Sequence, residues 1–213
     1  MPIFKQWNEG GAQWGIWQVT ESAEELRSRL SVESCDDAVL QGLRAPSRKL
    51  EYLAVRVLLK EMLGGEYRID HHPSGKPFLP DSSLSITISH TNGYVAIGLH
   101  PSREVGIDIE YVAERVRKVT SRFVRADELP GLQQHTPQVQ LYELLLVWSA
   151  KESLYKVLNQ QDVDFQEHLR IAPFDFHPAG GEFAAYEYRT KNGMVYGMHY
   201  LTHPDFVCTY VIV

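Results

Sequence analysis

The sequence predicts an α+β fold in which two similar halves pack as a pseudo-dimer. This prediction depends on the order of the elements: a helical pattern followed by strand patterns occurs in the first half of the 213-residue chain and recurs in the second half. No residue-level repeat and no flexible linker accompany that order. The halves are therefore expected at 1–103 and 104–213, as one integrated protein.

Strand and helix signals alternate clearly in the first half. Residues 13–19 are typical of a strand, and residues 22–25 have the pattern of a capping box that opens a short helix. Apolar residues at helical spacing over 47–63 predict a long helix that a glycine pair ends. The segment 71–81 is predicted to be a loop, and apolar alternation on both sides of Asn92-Gly93 predicts a hairpin.

The second half begins with the strand pattern VGIDIE at 105–110. A long helix is predicted over 137–159, and a hairpin turn at Asn192-Gly193. The remaining strands are predicted at about 168–176, 182–190, 193–202 and 206–212.

Composition excludes several classes of protein. A hydrophobic fraction of 44% with 23% charged residues is typical of a globular protein with a substantial core. The net charge of -6 argues against a general binder of nucleic acid or of membrane surfaces, which needs a basic face. Cys35 and Cys208 are too few for a disulfide framework and wrongly spaced for zinc. Without a signal-peptide pattern or a span-length apolar run, the chain is expected to be cytoplasmic.

Two carboxylates mark one face of the VGIDIE strand. Apolar residues alternate there with Gly106, Asp108 and Glu110, so the acids are neighbours on the same face, roughly 7 Å apart. Like charges at that spacing repel, and a glycine inside a strand weakens it. The pattern fits either the solvated face of an edge strand or a site for a hard cation.

The predicted helix 137–159 carries a third acid. Trp148, Glu152 and Lys156 share one stripe, with Lys151 and Tyr155 on the next. A surface helix with a Glu-to-Lys pair would look the same. If Glu152 meets the two strand acids, however, three carboxylates require a cation, and oxygen ligands favour Mg²⁺ completed by a substrate phosphate. The absence of a glycine-rich phosphate loop argues against a P-loop NTPase.

Four stretches, SGKPFLPD, ITISHTNGYVAIGL, VGIDIE and WSAKESLYKVL, together resemble the phosphopantetheinyl transferase superfamily in its monomeric, surfactin-synthetase-activating (Sfp-type) branch. The likeness covers about residues 46–158. It implies Mg²⁺-dependent transfer of the 4'-phosphopantetheine arm of coenzyme A to a serine of an apo acyl or peptidyl carrier protein, with release of adenosine 3',5'-bisphosphate. It also implies a monomer whose active site lies at the interface of the two halves.

The resemblance assigns a role to each acid. Asp108, Glu110 and Glu152 match the metal ligands, and Glu152, directly or through a metal-bound water, is the candidate base for the carrier serine. Lys156 would stabilise charge on the pyrophosphate, with Lys151 nearby. The bare side of Gly106 would leave room for the metal and the pyrophosphate.

Other matched positions imply contacts to coenzyme A. Taken together, the coenzyme-binding residues are Arg48, Arg56, Lys76, Pro77, Ser89, His90, Lys151 and Lys156. Alternatives remain for three of them. Lys76 fits a solvated turn, His90 fits a structural histidine, and Arg56 fits a salt-bridge partner on a helix face.

Two segments are individual to this chain. Residues 31–37 are acidic where many relatives are basic, which puts contacts to the 3'-phosphate in question. Residues 111–135 are the expected docking surface for an acidic carrier, because they hold a basic run and the matching residues Phe123 and Glu128. A non-catalytic binding module and an unrelated Mg²⁺-dependent phosphotransferase are the competing hypotheses.

Overall fold

A computed structural model describes residues 3–32, 34–132, 135–158, 160, 162–190 and 193–213. The described residues form both helices and three separate sheets, which confirms the predicted α+β class. The chain divides into two compact units, Met1–Val105 and Gly106–Val213. Within the described part of the chain, no helix has both the length and the apolar character needed to cross a bilayer.

In the first unit, the described residues form three helices and six strands. They are β1 (Ile3–Glu9), β2 (Ala12–Gln18), α1 (Ala23–Ser28), α2 (Asp37–Gly42), α3 (Pro46–Leu63), β3 (Asp70–His71), β4 (Pro77–Phe78), β5 (Ser85–Thr91) and β6 (Tyr94–His100). Ser22 caps α1 in the predicted capping box with Glu25. The predicted loop 71–81 includes the short pair β3–β4.

Four antiparallel strands in the order β1-β2-β6-β5 make the main sheet of this unit. The predicted β5–β6 hairpin is confirmed: Thr91 pairs with Tyr94 across a turn in which Gly93 has a φ of +76°. Helix α3 packs on β2 and β6 through buried residues such as Leu58 and Met62. It ends at Gly64 in the left-handed conformation, as predicted.

The second unit is built on a long helix and a five-stranded sheet. Its elements are β7 (Val105–Tyr111), a 3₁₀ helix (Glu114–Arg122), α4 (Leu129–Leu132), α5 (Pro137–Leu158), β8 (Leu169–Ile171), β9 (Gly181–Glu187), β10 (Met194–Thr202) and β11 (Phe206–Ile212). The strand order is β7-β11-β10-β9-β8. Helix α5 packs across β11 and β8 and places its charged end beside β7.

Several element predictions differ from the structure. Strand β1 and helix α2 were not predicted, and the strand predicted at 168–176 is only three residues long, Leu169–Ile171. The predicted turn at Asn192-Gly193 falls partly outside the described residues, as does Asn159 at the end of the predicted helix. The pseudo-dimer arrangement and the boundary at 103 remain predictions.

Candidate functional site

The acids of β7 do not lie on a solvated strand face. Every residue from Val105 to Ile109 is buried, and Asp108 is only 5% exposed although β7 is at the edge of its sheet. Glu110, nearer the end of the strand, is partly exposed. This burial shows that the alternative of a solvated edge-strand face is wrong for Asp108. Carboxylates are rarely buried to this extent unless they have a charged or polar partner.

Gly106 has a different role from the one the resemblance implied. A Cβ added there would lie 2.3 Å from the backbone oxygen of Ser153 on α5 and 3.1 Å from Val211. The bare side of this glycine is filled by the helix, so it does not leave room for a metal or a pyrophosphate. The glycine instead lets α5 approach β7 closely enough for side chains on the two elements to meet.

Asp108 is paired with a lysine from that helix. Lys156 Nζ lies 2.9 Å from Asp108 Oδ1 and donates a second hydrogen bond of 2.8 Å to the backbone oxygen of Ile107. The lysine side chain is 27% exposed and the aspartate side chain 7%. Lys156, on the same stripe of α5 as Trp148 and Glu152, therefore contacts the strand acid Asp108 directly.

Glu110 is held by the tryptophan of the same helix stripe. The indole Nε1 of Trp148 donates a hydrogen bond of 2.7 Å to Glu110 Oε1. Arg115 of the 3₁₀ helix lies 4.0 Å from the other carboxylate oxygen. The Trp148 ring packs against Phe123 and Phe165, with centroid distances of 5.1 and 5.7 Å.

Glu152 completes the acidic cluster. Burial, reinforced by the negative charge of Asp108, raises the pKa of Glu152 to about 7. Burial and Asp108 also raise the pKa of Glu110, against the lowering effect of the Trp148 hydrogen bond. The three carboxyl groups act on each other electrostatically, which is the behaviour expected of groups that share one small site.

The donor set fits a hard cation. All candidate ligand atoms are carboxylate oxygens, and Mg²⁺ is typically held by one or two carboxylates, with waters and substrate phosphates filling the other positions. Across the residues that the structure describes, no group of three or more His, Cys, Asp or Glu side chains is close enough to bind a metal ion by itself.

A groove of about 590 Å³ opens beside these acids. Glu110 and Glu152 line it, together with apolar side chains that include Val116, Val119 and Phe165. Its lining also includes two arginines of the 3₁₀ helix, Arg115 and Arg122. Sequence reasoning missed Asp164 and Phe165 as parts of this wall, because they come from the segment after α5, which carries no motif.

The structure corrects the assignment of Lys151 to coenzyme A. Its side chain is fully buried, and Nζ donates to Glu128 Oε2 at 2.9 Å and to the backbone oxygens of Phe123 and Phe165 at 2.6 and 3.0 Å. Burial lowers the pKa of Lys151. An ammonium with no solvent exposure and three protein acceptors is not placed to bind a ligand. On α5, Lys151 therefore faces the core of the second unit.

In the first unit, Arg48 and His90 lie together. Arg48 Nη1 is 2.8 Å from His90 Nε2 and 3.0 Å from Glu51 Oε2. Ser89 is the preceding residue on β5 and is 7% exposed. Both Arg48 and His90 are exposed, and His90 Nδ1 lies 3.6 Å from the same Glu51 oxygen.

Lys76 and Arg56 have different surroundings. Lys76 Nζ forms an ion pair of 2.6 Å with Glu104, and Pro77 begins β4. Arg56 lies over the ring of Tyr52 at 3.5 Å and donates to the Tyr52 backbone oxygen, while burial lowers its pKa. Among the described carboxylates, none forms a salt bridge with Arg56, so its predicted alternative as a helix-face salt-bridge partner is not realised.

Comparison with known proteins points to one family. A family model described as the 4'-phosphopantetheinyl transferase superfamily matches residues 104–211, about half of the chain. The 4'-phosphopantetheinyl transferase AcpT of Salmonella typhimurium is 29% identical over 132 residues, which cover 61% of this chain and 69% of the relative.

Two further relatives carry the same description. The 4'-phosphopantetheinyl transferase gsp of Aneurinibacillus migulanus is 32% identical over 121 residues, which cover 50% of this chain and 49% of the relative. The 4'-phosphopantetheinyl transferase HetI of Nostoc sp. is 24% identical over 180 residues, 77% of this chain and 76% of the relative.

Proposed function

Because this chain belongs to the 4'-phosphopantetheinyl transferase superfamily, we propose that it transfers the 4'-phosphopantetheine arm of coenzyme A to a serine of an apo acyl or peptidyl carrier protein, releasing adenosine 3',5'-bisphosphate. The observation that carries the proposal is the cluster of Asp108, Glu110 and Glu152 with Lys156 where β7 meets α5. These residues lie in the stretches VGIDIE and WSAKESLYKVL, which resemble motifs of that family.

The three carboxylates would hold a Mg²⁺ ion. Asp108, Glu110 and Glu152 supply only oxygen ligands. Burial, together with the repulsion between ionised carboxylates side by side, raises the pKa values of Glu110 and Glu152, and a bound cation would relieve that repulsion. When bound, such an ion neutralises the pyrophosphate of coenzyme A and polarises the phosphorus under attack.

Glu152 is proposed to remove the proton of the carrier serine. A serine hydroxyl is a weak nucleophile and needs a base, and a base works best when its pKa lies near the operating pH. Without a metal, burial raises the pKa of Glu152 to about 7, and the side chain lines the open groove, where a serine hydroxyl can reach it. Asp108 contributes by holding Lys156 beside the same cluster.

Lys156 is proposed to stabilise the negative charge of the leaving phosphate. Its ammonium is part of the acidic cluster, yet the side chain is 27% exposed and so remains accessible to a ligand. A cation that faces developing phosphate charge lowers the barrier without moving a proton. Lys151 is excluded from this role by its burial.

Coenzyme A is proposed to use residues of the first unit as well. Arg48 and His90 offer adjacent nitrogen atoms for a phosphate, and Ser89 lies beside them on β5. Lys76 and Pro77 would face the adenosine part, and Arg56 remains a candidate with its guanidinium stacked on Tyr52. The two halves, 1–103 and 104–213, would then act as one monomeric cytoplasmic enzyme of the Sfp type.

The carrier is proposed to dock on 111–135. The 3₁₀ helix in this segment presents Arg115 and Arg122 to the groove beside Glu110 and Glu152. Carrier proteins are acidic around the serine that is modified, so cationic side chains next to the acceptor site would orient the partner.

Intact-mass measurement tests the proposal. The purified protein is incubated with coenzyme A, Mg²⁺ and an apo carrier protein, and the carrier gains the mass of one phosphopantetheine. A chelator and the Asp108→Ala variant each abolish the gain. A wild-type protein that binds coenzyme A but modifies none of several carriers would be the binding module instead, and a protein that does not bind coenzyme A would contradict both.

A further inference from the structure

Lys151 is the centre of a buried polar node that no step of the proposed reaction uses. Its three hydrogen bonds, to Glu128, to the Phe123 backbone and to the Phe165 backbone, satisfy all the donors of an ammonium group. The two carbonyls come from segments that flank α5 in sequence, one before the helix and one after it. One side chain therefore joins three parts of the second unit.

Glu128 fixes the node from the other side. Its Oε2 also accepts the backbone N–H of Arg125 at 2.7 Å, and its Oε1 accepts that of Ile171 at 2.7 Å. The Glu128 side chain is 4% exposed. A buried ion pair of this kind contributes little net stability compared with apolar residues of similar size. What it does supply is a fixed geometry for every backbone stretch that it contacts.

The two residues held by Lys151 form the surroundings of Trp148. The rings of Phe123 and Phe165 contact the indole, which donates its N–H to Glu110. Phe165 and Trp148 also line the groove next to Glu152. Contacts thus run from Lys151 through two phenylalanines to the tryptophan and on to an acid of the candidate metal site.

Building on the proposed function, we propose that Lys151 is a positioning residue: it holds Phe123 and Phe165 so that Trp148 orients the Glu110 carboxylate, and it does not contact coenzyme A. The lysine of the W-x-x-K-E stretch, Lys151, and the lysine five residues later, Lys156, then have separate tasks. Lys151 shapes the site from the core, whereas Lys156 faces the ligand.

The test removes the buried Lys151–Glu128 ion pair by changing both residues, so that neither charge is left buried without its partner. Lys151→Met keeps the length of the side chain, and Glu128→Gln in the same protein removes the opposite charge while it keeps one of the two acceptor oxygens. The single variant Lys151→Met is prepared in parallel. Lys156→Met, on the same helix but only half-buried, is the matched comparison for loss of a lysine.

Two readouts separate positioning from ligand binding. The first is the NMR signal of the Trp148 indole N–H, assigned by its loss in Trp148→Phe. The second is the affinity for coenzyme A together with kcat. We expect the double variant to shift the indole signal, to bind coenzyme A within about threefold of wild type, and to lose at least about tenfold in kcat, since small misplacements of reacting groups are costly.

The proposal is overturned if the Trp148 signal is unchanged, or if affinity for coenzyme A falls as far as it does in Lys156→Met. If the wild-type protein transfers no phosphopantetheine, the proposed function fails, and the indole signal alone then decides the positioning role. If Lys151→Met does not fold, the double variant still gives both readouts.

Discussion

The indole Nε1 of Trp148 lies 2.7 Å from Glu110 Oε1, and this hydrogen bond joins helix α5 to the acidic end of strand β7. Four residues along the helix is Glu152, and Lys156 follows after another four, bonded to Asp108. One stripe of α5 therefore supplies a donor, an acid and a cation to the two acids of β7. The site results from one helix packed closely on one edge strand.

Replacement of Trp148 by phenylalanine is expected to loosen Glu110 while it preserves most of the aromatic packing. A hydrogen bond to a charged group contributes about 1.5–3 kcal/mol, so Mn²⁺ binding in the presence of coenzyme A should weaken by about tenfold or more. Electron paramagnetic resonance of free Mn²⁺ measures this affinity. Phe4→Leu, a change of an exposed aromatic residue, is the control, and equal affinities in the two variants would contradict the role of the indole N–H.

Substitution of Gly106 by alanine is expected to destabilise the second unit by about 2–4 kcal/mol, as overpacking against a backbone atom cannot be relieved by a side-chain rotation. The new Cβ would lie 2.3 Å from the Ser153 backbone oxygen. Gly197→Ala on strand β10 is the matched control, since nothing lies within 4 Å of a Cβ at that position. Urea unfolding of both variants gives the comparison, and equal midpoints would show that α5 does not need the glycine.

The stability of the metal-free protein should depend on Glu152 near neutral pH. Its pKa is raised from 4.5 to about 7 in the folded protein, so folding favours the protonated form. The contribution of Glu152 to stability is full below pH 4.5 and is lost as the pH rises through about 7.

Glu152→Gln should therefore be more stable than wild type at pH 8, by about 1–3 kcal/mol, and should show less loss of stability between pH 5 and pH 8. Thermal unfolding in chelator across this pH range measures the difference. Parallel pH profiles for the two proteins would contradict the burial and charge environment assigned to Glu152.

Lys156→Met is expected to weaken coenzyme A binding and to lower kcat, because the variant loses a cation that faces the phosphate and leaves Asp108 without its lysine. Lys49→Met removes a half-buried lysine of α3, as Lys156→Met does on α5, and is the control for net charge. Calorimetric titration with coenzyme A measures the affinity. An affinity equal to that of the control variant would remove Lys156 from the ligand site.

Local patterns were enough to predict the main elements. The apolar spacing of α3 and α5 and the Asn92-Gly93 turn are signals contained within a few neighbouring residues, and each predicted element is present. Strand β1 was missed because its residues at the sheet edge are mostly exposed and lack clear alternation. Helix α2 is six residues long and has no buried residue to mark it.

The site was predictable where motif and helix stripe agree. Asp108, Glu110, Glu152 and Lys156 could be grouped from spacing and resemblance. The burial of Lys151 could not, because its partner Glu128 is 23 residues away and Phe165 follows 14 residues later. The packing of α5 against Gly106 depends likewise on a contact between distant segments, which spacing along the chain does not reveal.

Single-turnover transfer of phosphopantetheine to an apo carrier, compared between Glu152→Gln and Glu24→Gln, tests the central claim most directly. Glu24 lies exposed in the first turn of α1, so its variant makes the same chemical change away from the site. Loss of a general base predicts a rate at least about 100-fold lower for Glu152→Gln than for Glu24→Gln. Equal rates in the two variants, with coenzyme A and Mg²⁺ saturating, would contradict the role of Glu152 as the base of the transfer.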